Sequence, residues 1–283
     1  SGTSTTLMTD LDVEGNLTEN SVGALITNAN NKYINVTENV VIGGQIGDAT
    51  ETADWTFGSL TINSGGVYSA TSGITEINNT ALNTYALNND GTLTANGGTI
   101  NITSQTASQY YLDIATGSGN PYNFVVDIGG GNSLKWIFDG GVIDGNLTVQ
   151  SGTFNSNADL YDLTVTGDTV VSGTLSNGGS DAMTFGSLAI KSGGTYSATS
   201  GTTTINSEDG SNHALDCDGT FTANSGNVSI ETGASTIVDI LCTGSLYDLD
   251  IDNTGVATYW EHDAATIAND LVITAGSFRA GTT

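Results

Sequence analysis

Apolar and polar residues alternate along this chain in short bursts, each closed by a glycine. LTINSGGVY (60–68), LTVQSGTF (147–154), LAIKSGGTY (188–196) and LVITAGSF (271–278) share one pattern. An apolar residue, any residue and an Ile or Val come first. Two mostly polar residues, a glycine and an aromatic or β-branched residue follow. LTVTGDTVV (163–171) is a looser relative. Period-two alternation predicts a strand with one buried face. The glycine after the polar pair predicts a turn at positive φ. No segment sustains the i, i+3, i+4, i+7 apolar spacing of a helix. The nearest to a helical turn is EHDAATIAND (261–270), and it is short.

The bursts are themselves repeated. TFGSLTINSGGVYSATSGITEIN (56–78) and TFGSLAIKSGGTYSATSGTTTIN (184–206) lie 128 residues apart and agree at 18 of 23 positions. LNNDGTLTANGGTINI (87–102) pairs with LDCDGTFTANSGNVSI (215–230) at the same offset. IDGNLTVQSGTF (143–154) pairs with IANDLVITAGSF (267–278), and INVTENVVIGGQIG (34–47) loosely with LTVTGDTVVSGTLS (163–176). Trp136 and Trp260 occupy matching places after small deletions. The organisation predicted is a remnant of a preceding repeat at 1–14, a first β unit at 15–142, a second at 143–266, and the start of a third at 267–283. That last segment is a candidate inter-subunit strand.

Two all-β architectures fit. A parallel β-solenoid would stack coils of roughly 20–25 residues at about 4.8 Å. Two β-sandwich domains, one per copy, are the alternative. Three features favour the solenoid: the motif recurs inside each copy, the turns are rich in stackable Asn, Ser, Thr and Gly, and the repeat is out of phase with both ends. Solenoids need polar caps to stay monomeric, so a stack of this kind is expected to associate with copies of itself.

Composition narrows the partners. Only Lys32, Lys135, Lys191 and Arg279 oppose 30 acidic residues, giving a net charge of −26. Nucleic-acid binding needs cations against phosphate and is excluded on this balance. Attachment to anionic lipid fails for the same reason. No apolar run approaches the roughly 20 residues that span a bilayer, so no membrane insertion is expected. Such charge keeps subunits apart unless salt or divalent cations screen it, conditions met outside a cell.

NLTVQSGTFNSNADLYDLTVTGDTVVSGTL and the paired TFGSL…SGG.YSATSG units resemble the β-solenoid repeats of large secreted prokaryotic surface proteins. These include subunits of sheaths or surface layers and adhesin passengers; virion fibre proteins carry similar phrases. The resemblance covers most of the chain and implies an extracellular or virion-surface setting. It brings no catalytic residues. The expectation is a structural subunit of an extracellular polymer, partnered by itself, and not an enzyme. A glycan-binding adhesin or tail-fibre segment is the alternative, with cell-surface glycans as partner.

Candidate site residues are few. Cys217 and Cys242 are the only cysteines, both in the second copy, where Cys217 aligns with Asn89 and Cys242 falls near Ala115. Their separation of 25 residues is about one coil, which suits a disulfide. Two buried thiols, or cross-links between subunits, are the other readings. Asp248, Asp250 and Asp252 alternate with Leu249 and Ile251, so three carboxylates share one strand face and could take Ca²⁺. A solvated face is the alternative. Asp10, Asp12 and Glu14 form a second such set. No other cofactor is expected. His213 and His262 (beside Asp263) stand alone, without a metal-ligand or triad pattern. Trp55, Trp136 and Trp260, with Tyr110, Tyr111, Tyr122, Tyr247 and Tyr259, could form a sugar-stacking strip or a packing ladder. Asn16, Asn35, Asn78, Asn101, Asn146 and Asn227 each begin an N-x-S/T glycosylation triplet.

Overall fold

The computed structural model describes residues 4–20, 22–27, 31–78, 84–103, 109–137, 140–156, 161–233, 237–242, 244–260 and 266–281. Every regular element among them is a β-strand, and the strands stack in parallel as a β-solenoid. The two-sandwich alternative is set aside, because sandwiches are built from antiparallel pairs. The chain divides into two compact units, Ser1–Asp144 and Gly145–Thr283. The sequence repeat, by comparison, changes over at 142/143.

In the first unit each coil contributes short strand runs that pair with the same runs of the next coil. One run carries the inward column Val36, Phe57, Ile77, Ile102 and Val126, each the register partner of the one before. The steps between them are 21, 20, 25 and 24 residues, so one coil is one step. A second run stacks Leu17–Glu19, Val40–Ile42, Leu60–Ile62 and Leu87–Asn89. A third stacks Ser4–Thr6, Ala24–Ile26, Gln45–Ile46, Val67–Ser69 and Thr92–Thr94. All five residues of the inward column are fully buried. Each such burial contributes about 1.5–3 kcal/mol.

The second unit repeats this plan. Its inward column runs Val165, Phe185, Ile205, Ile230, Ile251 and Ile273. The nine-residue strands Ile34–Ile42 and Leu163–Val171 are counterparts with the same alternation of buried and accessible positions. In EHDAATIAND, residues 261–265 lie outside the described residues, and Thr266–Ile267 is a strand.

Glycine sets the corners. Gly65, Gly152, Gly193 and Gly276, the glycines of the four closing bursts, have φ of 84°, 75°, 85° and 86°. An L-residue reaches that region only with strain. Gly58 and Gly186, inside the repeated TFGSL, serve differently. A Cβ on Gly186 would stand 2.5 Å from the carbonyl oxygen of Gly167, and one on Gly58 would strike the carbonyl of Glu38. Both mark where the strand below shifts register, between Val36 and Asn39 and between Val165 and Asp168. The coils can close on each other there only without a side chain.

What the two copies share is their interior. In the 23-residue match the five differing pairs are Thr61/Ala189, Asn63/Lys191, Val67/Thr195, Ile74/Thr202 and Glu76/Thr204, and none of these ten residues is buried. The identical residues include the buried Phe57/Phe185, Leu60/Leu188, Ile62/Ile190, Tyr68/Tyr196 and Ile77/Ile205. Hydrogen bonds are copied with them. Asn96 donates to Ser69 Oγ (3.0 Å) and the Ala70 carbonyl (2.7 Å), and Asn224 donates to Ser197 Oγ and the Ala198 carbonyl, both at 2.8 Å.

Candidate functional site

The cysteines meet. Cys217 and Cys242 are direct register partners on adjacent strands, joined as a disulfide with Cα atoms 4.5 Å apart. Each side chain is buried. Leu215 pairs with Ile240 and Cys217 with Cys242, as Leu87 pairs with Leu112 in the first unit. Cys242 is therefore the counterpart of Ile114, the residue beside Ala115, with the 128-residue offset intact. The counterpart of Cys217, Asn89, is also fully buried, and hydrogen bonds satisfy its amide. Its Nδ2 donates to the Ser118 carbonyl at 3.3 Å and its Oδ1 accepts from Gly91 N–H at 3.2 Å. One copy thus fills this place with a polar side chain, the other with a covalent link between coils.

The aspartate row lies on strand Asp248–Trp260, with Leu249 and Ile251 buried between its members. Asp248 Oδ1 accepts from Asn269 Nδ2 (2.7 Å) and Asp270 N–H (2.9 Å), and Asp250 Oδ2 accepts from Asn227 Nδ2 (2.9 Å). These carboxylates bind coil to coil. Among the described residues no three His, Cys, Asp or Glu side chains converge in a metal-sized group.

The three tryptophans do not line a surface. Trp55 and Trp136 are fully buried and Trp260 is 2% exposed. Trp136 pairs with Leu112 and Trp260 with Ile240, the same place in each copy. Trp55 donates to the Lys32 carbonyl and Trp260 to the Cys242 carbonyl, each at 3.0 Å. The sugar-stacking strip is corrected on this point: its indoles are core. Tyr110 is buried as well, whereas Tyr122 is exposed and Tyr111, Tyr247 and Tyr259 are half-buried.

His213 is half-buried against Asp209, Nδ1 to Oδ2 at 3.3 Å. Burial pushes the Asp209 carboxyl up, but the backbone N–H groups of His213 and Ser211 and the nearby imidazole outweigh it and hold the group below its ordinary value. Ser211 N–H and His213 N–H both donate to Asp209 Oδ1, at 2.7 and 3.0 Å, and close the loop 209–213. His262 and Asp263 lie outside the described residues. Of the glycosylation triplets, Asn16 and Asn146 are exposed, and Asn35, Asn78, Asn101 and Asn227 are half-buried.

One cleft, of about 430 Å³, opens on the outward side of the first unit and draws on three successive coils. Asp12, Asn35 and Thr56 are consecutive register partners along it. Tyr33 precedes Asn35 by two and Asp54 precedes Thr56 by two, so both share their faces. Asp12 accepts from Tyr33 Oη (3.0 Å) and Asn35 Nδ2 (3.1 Å). Asp54 Oδ1 accepts from Ile74 N–H (2.8 Å), and its other oxygen makes no hydrogen bond to the described residues. The hydrogen bond to Asp12 and the charge of that carboxylate hold the Tyr33 phenol above its usual value. Tyr33, Asn31 and Asp54 carry no sequence motif. Their one signal is divergence from the repeat: Asp162 stands where Tyr33 does, and Ala182 where Asp54 does.

Comparison with protein-family models, with curated proteins and with solved structures returned no match.

Proposed function

We propose that this chain is a structural subunit of an extracellular polymeric assembly, a sheath, surface layer or fibre, built by β-edge or head-to-tail association and not by catalysis. The observation that carries the reading is the comparison between copies. Within the 23-residue match every buried residue is identical, and all five differences fall at positions outside the core. A catalytic site is a set of outward groups held in one geometry, whereas a duplicated interior supplies length and stiffness. The Cys217–Cys242 link supports an extracellular setting, since disulfides persist where the surroundings oxidise.

The association surface would be a strand edge. Leu271–Ala280 pairs with Asp248–Trp260 on one side, and Leu271, Val272 and Ile273 are 43%, 47% and 48% exposed. The counterparts of Leu271 and Ile273, Leu147 and Val149, are fully buried, with Leu163–Val171 paired above them. A further coil, from the continuation of this chain or from another subunit, would bury the exposed set in the same manner. Calcium would act here by screening the charge between subunits.

Negative-stain microscopy and sedimentation of concentrated protein, with and without calcium, test the reading. Rings, tubes or fibres are expected, lost in the double variant Leu271→Lys, Ile273→Lys. A strictly monodisperse monomer in both conditions overturns it. The alternative, a glycan-binding adhesin or virion-fibre segment, is favoured by a single feature, the cleft at Tyr33.

A further inference from the structure

We propose that the cleft around Tyr33 and Asp54 is a binding site for a neutral saccharide, whether or not the chain polymerises. Its volume of about 430 Å³ lies within the range of small-ligand sites, about 300–1,000 Å³. A pyranose ring offers a C–H face and a rim of hydroxyls, and the cleft offers a partner for each. The Tyr33 ring, 38% exposed, presents an aromatic surface for the C–H face. The carboxylate of Asp54 keeps one oxygen unengaged by the described residues, a charged acceptor for a hydroxyl. Asn31 Oδ1 accepts from the Thr52 hydroxyl, and its Nδ2, which makes no hydrogen bond to the described residues, is the donor of the set.

The site is pre-organised. Asp12 ties down both Tyr33 and Asn35 through its two oxygens, so a ligand meets side chains already fixed and loses little affinity to ordering them. The register sets the spacing too, because Asp12, Asn35 and Thr56 stand on adjacent strands about 4.8 Å apart.

Charge selects the class of sugar. Among the described residues no cation lines the cleft, two carboxylates do, and the whole chain carries −26. Uronic, sialic and sulfated sugars are repelled; neutral hexose or N-acetylhexosamine units are not.

The second unit provides an internal control. It folds the same strands but places Asp162, Thr164, Ala182 and Thr184 where the first places Tyr33, Asn35, Asp54 and Thr56. The aromatic face and the Asp54 carboxylate are missing there.

Isothermal titration of the chain with mannohexaose, cellohexaose, chitohexaose and laminarihexaose, and with a heparin hexasaccharide, tests the proposal. At least one neutral sugar is expected to bind with Kd below about 1 mM, unaffected by EDTA, and heparin not at all. Tyr33→Ala and Asp54→Ala should each weaken binding by about tenfold or more, equivalent to 1.4 kcal/mol. Tyr33→Phe should retain most of it, and Thr164→Ala in the second unit all of it. Circular dichroism and melting of each variant confirm that the fold is kept. Binding of none of the neutral sugars, binding of heparin alone, or binding by Tyr33→Ala and Asp54→Ala as tight as that of the parent overturns the proposal. Retained polymerisation in Tyr33→Ala separates this site from the assembly reading.

Discussion

The phenol of Tyr196 meets the hydroxyl of Thr203 at 2.8 Å in the interior of the second unit, where both are buried. Tyr68 and Thr75 repeat the contact at 2.7 Å in the first unit. Burial pushes both phenols well above the ordinary tyrosine value, and the threonine hydrogen bond offsets only part of that shift. A raised acid contributes stability that is fully present below its unfolded pKa, about 10, and is lost as pH rises through the folded value. Melting temperature should therefore fall above about pH 10, less steeply in Tyr68→Phe, Tyr196→Phe than in the parent. At neutral pH each Phe variant should lose about 1–3 kcal/mol for the stranded threonine hydroxyl. Thermal melts across an alkaline series measure both effects.

Phe185 and Thr204 sit on neighbouring coils and face opposite ways, Phe185 fully buried and Thr204 outward. Phe185→Ala should destabilise by about 3–5 kcal/mol through lost burial and the cavity left between Val165 and Ile205. Thr204→Glu, the residue its counterpart Glu76 already carries, should stay within about 0.5 kcal/mol. Urea unfolding of the two variants makes the comparison.

The disulfide closes a loop of 25 residues. Such a loop contributes about 3–4 kcal/mol through the unfolded chain. Cys217→Ser, Cys242→Ser should lose that amount, and somewhat more if the new hydroxyls are left unpaired in an apolar setting. Reduced protein should run more slowly than oxidised protein on denaturing gels, as a monomer band and not as a collapsing ladder. A ladder would show that the bond joins subunits.

Asn16 and Asn146 stand second in the same GNLT phrase in the two units and are exposed. Their Oδ1 atoms accept backbone N–H groups of the next coil, Asn39 at 3.1 Å and Asp168 at 2.9 Å. A glycan attaches to Nδ2 and leaves that bond in place. If the native chain is glycosylated, mass spectrometry should find the exposed Asn16 occupied before the half-buried Asn35 or Asn227, whose Nδ2 atoms already donate to Asp12 and Asp250.

Much of this architecture is legible in the residues. Leu60, Ile62 and Tyr68 can be set inward by alternation alone, and Gly65 and Gly193 announce their positive φ by sitting between strand halves. The spacing of Cys217 and Cys242 matches one coil. Other features depend on register, which no local pattern reveals. Cys242 takes the place of Ile114 because the pairing keeps step through a stretch where the two sequences have little in common. Trp136 and Trp260 look alike as core or as surface until their neighbours Leu112 and Ile240 are known. The cleft is the extreme case. Asp12, Tyr33 and Asp54 are about 20 residues apart in the chain and become neighbours only when three coils lie one upon another.

The covalent bolt between Cys217 and Cys242 has no twin at Asn89 and Ile114. Two halves cast from one mould are therefore unequal under load. Pulled or heated in air, the Ser1–Asp144 half should yield first; bathed in reductant, the pair should fail almost together. Local chemistry at a single rung gives an otherwise symmetrical chain a weak end and a strong one.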